Sequence, residues 1–105
     1  MATPEGVIKK LIMDWLNAQP GCYARVITVA GFRGRKNVSK GVVDILGSWQ
    51  GRALAIEVKQ PGEKPTREQY EFLIGWVDRG KGIGIVAESL DDVERVLRPI
   101  QVRTE

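Results

Sequence analysis

The sequence predicts an α/β fold of the α+β type, with a mixed central sheet flanked by helices. Three observations carry that expectation. Apolar residues recur at helical spacing in three segments and gather at strand-like density in four. Clusters rich in glycine and proline separate those segments. The 105 residues hold no internal repeat, low-complexity run or interdomain linker, so one domain over 1–105 with one core is expected.

In chain order the first element is an amphipathic helix over Pro4–Asn17, where Ile8, Leu11, Ile12, Trp15 and Leu16 share helical spacing. Thr3 is its N-cap and Pro4 opens its first turn. Tyr23–Ala30 is rich in β-branched residues and reads as a strand. Val42–Leu46 reads as a second strand and Arg52–Lys59 as a third. The turn cluster Gly47–Gly51 between them predicts an antiparallel hairpin. Thr66-Arg-Glu-Gln69 fits a capping box that opens a helix carrying Tyr70, Leu73, Ile74 and Val77 on one face. Ile83–Ala87 is a short apolar strand, and Ser89-Leu-Asp-Asp92 opens a last helix to about Leu97. The order is αβββαβα.

Composition excludes several chemistries. With no histidine, the Ser-His-Asp triad, the Cys-His dyad and the usual zinc ligands are absent. Any metal must be held by oxygens, which suits magnesium or manganese. The single Cys22 forms no internal disulfide, the start MATPEGVIKK lacks the pattern of a secretory signal, and no apolar run approaches membrane-spanning length. A soluble intracellular protein without a membrane partner is expected, cytoplasmic if the chain is prokaryotic or phage-encoded. Gly80–Gly84 lacks the Gly-Lys-Ser/Thr ending of a P-loop. The net charge of +3 is modest, but Gly31–Gly41 carries Arg33, Arg35, Lys36 and Lys40 and no acid. Such a cluster suits phosphate contacts on a nucleic acid; a solvated loop with a chance excess of charge is the plainer alternative.

Strand alternation locates the candidate chemistry. Leu54, Ile56 and Val58 belong to one face of the third strand; Ala53, Ala55, Glu57 and Lys59 belong to the other. Glu57 and Lys59 are therefore neighbours on a face with room for a ligand. Asp44 lies among apolar residues, where an unpaired carboxylate is costly. A hairpin would bring it across from Glu57, and two carboxylates so close repel unless a cation or a shared proton relieves them. A divalent metal explains the pair; a salt bridge from Lys59 to either carboxylate also would. Glu5 shares a helix face with Ile8 and Ile12 and is a further candidate ligand, although a first-turn glutamate also suits the helix dipole. Trp15, Tyr70 and Trp76 read as packing residues, and Trp49, in the turn, as the exposed ring.

Asp44, twelve intervening residues and then Glu57-Val58-Lys59 resemble the motif of the PD-(D/E)XK nuclease superfamily, whose shared core is αβββαβ and restriction-endonuclease-like. Val43 stands where the superfamily name has proline. More closely, GVVDILGSWQGRALAIEVKQPGEKPTREQYEFL resembles the virus-type replication-repair nuclease (VRR-NUC) family, with Gly62-Glu-Lys64 and Gln69 at its Gly-Lys connection and glutamine-bearing helix. The likeness runs from the first helix to Asp91-Asp92. It implies that Asp44, Glu57 and the Val58 carbonyl bind Mg²⁺ or Mn²⁺, that Lys59 serves the attacking water, and that Gln69 lies near the active site, though capping alone would account for that glutamine. It adds Lys64 to the nucleic-acid-binding candidates. It further implies a homodimeric endonuclease of DNA repair or recombination, acting on branched DNA such as a Holliday junction or flap. A non-catalytic nucleic-acid-binding module on the same fold is the alternative.

Overall fold

The computed structural model describes residues 3–27 and 42–100. Its elements are α1 (Pro4–Asn17), β1 (Cys22–Val26), β2 (Ile45–Trp49), β3 (Arg52–Val58), α2 (Arg67–Asp78), β4 (Ile83–Ala87) and α3 (Leu90–Leu97). The four strands lie side by side in the order β1-β2-β3-β4. Pairing is antiparallel from β1 to β3 and parallel between β3 and β4, so the sheet is mixed. The α2 crossover between β3 and β4 makes the parallel pairing available.

Caps fix the helix starts as the sequence predicts. The Thr3 hydroxyl accepts from Gly6 N–H at 2.9 Å, with Pro4 following at the first helical position. Thr66 and Gln69 form a reciprocal capping box. Ser89 accepts from Asp92 N–H at the start of α3.

The sheet divides the apolar residues in two. On one side Ile12 and Leu16 of α1 and Val93 and Leu97 of α3 pack on Ile45, Leu54, Ile56 and Val58. On the other side Leu73, Phe72 and Trp76 of α2 pack on Ala55, Leu46 and Val43. The alternation along β3 expected from sequence is thus the partition between the two sides.

Three expectations need correction. The second strand lies at Ile45–Trp49 rather than Val42–Leu46, because the turn is only Gln50-Gly51. Both turn residues have positive φ, 52° and 85°, which matches the right-handed twist of the flanking strands. Gly47, Ser48 and Trp49 are therefore released to pair. Trp49 follows from that change: it is 1% exposed, and its ring stacks on Trp15 with centroids 5.6 Å apart. On α2, Leu73 alone of its expected face is buried, with Phe72 and Trp76 packed beside it. Tyr70, Ile74 and Val77 are exposed. The first strand ends at Val26, and residues 28–30 lie outside the described residues.

Candidate active site

Asp44 does not sit inside a strand. It occupies a bend immediately before β2. Val43 packs on the α2 side and Ile45 on the α1/α3 side, although alternate residues of a straight strand share a face. The bend turns the chain between them, a conformation that aspartate accepts more readily than pleated pairing.

The ladder still sets the register. Ile45 faces Ile56, so one further antiparallel step brings Asp44 opposite Glu57. Lys59 N–H donates to Ala87 in β4 at 2.9 Å, and the preceding Val58 N–H turns the other way. It donates to Asp44 Oδ2 at 2.8 Å. A side-chain oxygen thus takes the donor left over where the β2–β3 ladder ends. That bond holds the Asp44 carboxylate against the end of β3.

Four charged side chains converge here. Glu57 is 2% exposed, and its Oε2 lies 3.2 Å from the Lys59 ammonium. Asp44 Oδ1 lies 3.4 Å from the ammonium of Lys9, on α1. Burial first, then the neighbouring Asp44 charge, pushes the Glu57 carboxyl up to about 7, with Lys59 pulling the other way. The Lys59–Glu57 pair fits the salt-bridge alternative raised by the sequence, and Lys9 adds an ion pair that the sequence reading did not include. The two pairs leave Glu57 Oε1 buried with no donor directed at it, although a proton shared with the Asp44 carboxylate would also relieve the two acids. An unmatched carboxylate oxygen in the interior is costly. Beside a second carboxylate it suits a hard cation, and the donor set is all oxygen. The residues present fit a divalent ion of the magnesium type.

The other candidates are more dispersed. Glu5 is half-buried in the first turn of α1, one turn before Lys9 on the same face. Among the described residues no three acidic or cysteine side chains gather as a metal cage, Glu5 with Asp44 and Glu57 included. Gln69 accepts from Thr66 N–H at 2.9 Å through its side-chain oxygen, so that oxygen is committed to the cap of α2. Lys64 is exposed in the connection from β3 to α2. Arg33, Arg35, Lys36 and Lys40 lie outside the described residues.

Lys9 is the participant that sequence reasoning missed. In the sequence it is half of a Lys9-Lys10 pair on an amphipathic helix and reads as solvated charge. The available signal was its place between Ile8 and Ile12, which lean toward the core, and its spacing of four from Glu5.

No protein-family model matches the sequence, and no curated protein matches it. Solved structures do. One described as a VRR_NUC domain superposes with a TM-score of 0.68 at 24% identity, covering 92% of this chain and 97% of that one. A second, described as a VRR_NUC domain protein, gives a TM-score of 0.66 at 19% identity, covering 94% and 88% respectively. At such identities the agreement concerns the backbone, and it extends over nearly the whole length of both partners. This chain shares the fold of VRR_NUC domains.

Proposed function

We propose that this chain is a Mg²⁺- or Mn²⁺-dependent endonuclease that hydrolyses DNA phosphodiester bonds, with branched DNA such as a junction or flap as its substrate. The observation that carries the reading is the unpartnered, buried Glu57 Oε1 beside Asp44, with the Lys59 ammonium on the neighbouring oxygen. The shared fold supports it.

Asp44 and Glu57 would hold the cation, with the Val58 carbonyl as a third oxygen. When bound, such an ion supplies Lewis-acid polarisation of the scissile phosphate and lowers the pKa of a water. The chain's own residues do the rest. The Val58 N–H fixes the Asp44 carboxylate through Oδ2. Lys59, 16% exposed, keeps a positive charge beside Glu57; there it orients the attacking water and offsets charge developing on the phosphate. Glu57 serves in its ionised form, since a protonated carboxyl is a poor ligand. Lys64 and the basic residues between Gly31 and Gly41 are assigned to the DNA backbone, where they contribute affinity without sequence reading. A homodimer is part of the proposal, supported by exposed apolar Tyr70, Ile74, Val77 and Val86.

The test is cleavage of duplex, flap and four-way-junction DNA by purified protein with Mg²⁺ or Mn²⁺. The expected outcome is metal-dependent cutting, strongest on a branched substrate. Asp44→Asn and Lys59→Ala should each lose roughly a hundredfold or more, as is usual when a group acting on the reacting phosphate is removed. If the wild type leaves every substrate uncut, or Asp44→Asn cuts as well as wild type, the reading fails.

A further inference from the structure

We infer that Lys9 is a built-in competitor of the divalent cation, an internal ammonium that occupies Asp44 and weakens metal loading. The inference rests on the metal-dependent reading above and adds a residue to it.

The two oxygens of Asp44 have separate partners. Oδ2 accepts the Val58 N–H at 2.8 Å, a backbone donor that is present whatever the side chains do. Oδ1 faces the Lys9 ammonium at 3.4 Å. The Asp44 carboxylate is therefore positioned by β3 and neutralised by α1, through different atoms. Taking Lys9 away leaves the positioning bond intact and removes only the charge. This separation fixes the direction of the expected effect: Asp44 stays in place and offers a free oxygen.

Lys9 is no ordinary surface lysine. Its side chain is 25% exposed and the Asp44 side chain 22%, whereas the adjacent pair Lys10–Asp14 shows 75% and 64%. At partly buried sites an ion pair is screened less than at the open surface. Glu57 carries Lys59 in the same way, at 3.2 Å. Each carboxylate of the pair therefore has its own ammonium, and only Glu57 Oε1 is left over. A cation held by these two carboxylates would contend with Lys9 for Asp44, whose other oxygen is already taken by the Val58 N–H, whereas Glu57 has one oxygen with no partner besides the one that faces Lys59. The like charges of ammonium and metal repel at this range.

The experiment measures Mn²⁺ binding to the full chain without DNA, by the loss of the free-ion electron paramagnetic resonance signal. Compared with wild type are Lys9→Met, Lys9→Arg, Lys10→Met and Asp44→Asn. Lys9→Met should bind Mn²⁺ on the order of tenfold more tightly, the scale on which one neighbouring charge acts through partly screened surroundings. Lys9→Arg, which restores the charge, should return to within about twofold of wild type, and Lys10→Met should match it. Thermal unfolding gives a second readout: the rise in Tm on adding Mn²⁺ should be larger for Lys9→Met than for wild type. Equal or weaker Mn²⁺ binding by a folded Lys9→Met overturns the inference while leaving the metal-dependent reading standing. Absence of Mn²⁺ binding in the wild type and in Lys9→Met alike overturns both.

Discussion

Glu57 combines burial, an adjacent carboxylate and one ammonium, and the balance leaves its carboxyl protonated at pH values where an exposed glutamate has long been ionised. The folded-state pKa is about 7 against 4.5 for the ordinary group. Between those values the folded chain holds a proton that the unfolded chain has released, so stability falls as pH rises across the window and levels off above it. Urea unfolding should show wild-type stability falling by on the order of 2–3 kcal/mol between pH 5 and pH 8, a fall that Glu57→Gln should lack. An unchanged difference between pH 5 and pH 8 would show that burial does not govern this carboxyl. On the proposed metal-dependent reading, metal affinity should run the opposite way, increasing with pH as the proton leaves. At this scale Asp44, Glu57 and Lys59 were legible because each is a charge in a segment that otherwise reads as buried. Lys9 was not legible: a lysine on an amphipathic helix looks the same in sequence whether its ammonium meets water or a carboxylate 35 residues away.

At the scale of elements, the joint between β1 and β2 has little slack. Gly47 pairs with Ala24, and a Cβ there would stand 2.3 Å from the Tyr23 carbonyl oxygen and 2.7 Å from the Ala24 Cα. Backbone atoms cannot move aside as a flexible side chain can. Gly47→Ala should cost about 2–3 kcal/mol in urea unfolding, through separation of the two strands. The sequence assigned this glycine to a turn, since Gly47-Ser-Trp-Gln-Gly51 is dense in turn formers. Periodicity alone does not distinguish a five-residue turn from a two-residue one with three more residues of strand. The deciding quantity was the pair of positive φ angles at Gln50 and Gly51. Helix boundaries were easier, because Thr3, Thr66 and Ser89 each announce a start through a side chain that caps its own backbone.

Across the whole molecule the sheet separates two apolar groups of unequal size, and the larger, between the sheet and α1 with α3, carries most of the burial. Trp49 belongs to that larger group, with its indole N–H donating to the Ile100 carbonyl. Trp49→Ala should cost about 3–5 kcal/mol in chemical denaturation, as truncation of a buried aromatic does. Ile74→Ala, on the exposed side of α2, should fall within about 0.5 kcal/mol of wild type for the isolated protomer. The mixed sheet was readable from the order of strands and helices, because a helix between β3 and β4 permits parallel pairing. The orientation of α2 was not readable. Tyr70, Ile74 and Val77 are as apolar as Phe72 and Trp76, and only the position of the sheet decides which of them is covered.

The tight Gln50-Gly51 turn lies at the opposite end of the β2–β3 hairpin from Asp44 and Glu57, separated by five ladder steps, or roughly 17 Å at the rise of an antiparallel strand. Gly51 is exposed, and a Cβ there would meet nothing within 4 Å. The far tip is thus a natural port for grafting. A reader module joined after Gly51 would ride on the rigid hairpin, and chemistry at one end could be paired with a new address at the other.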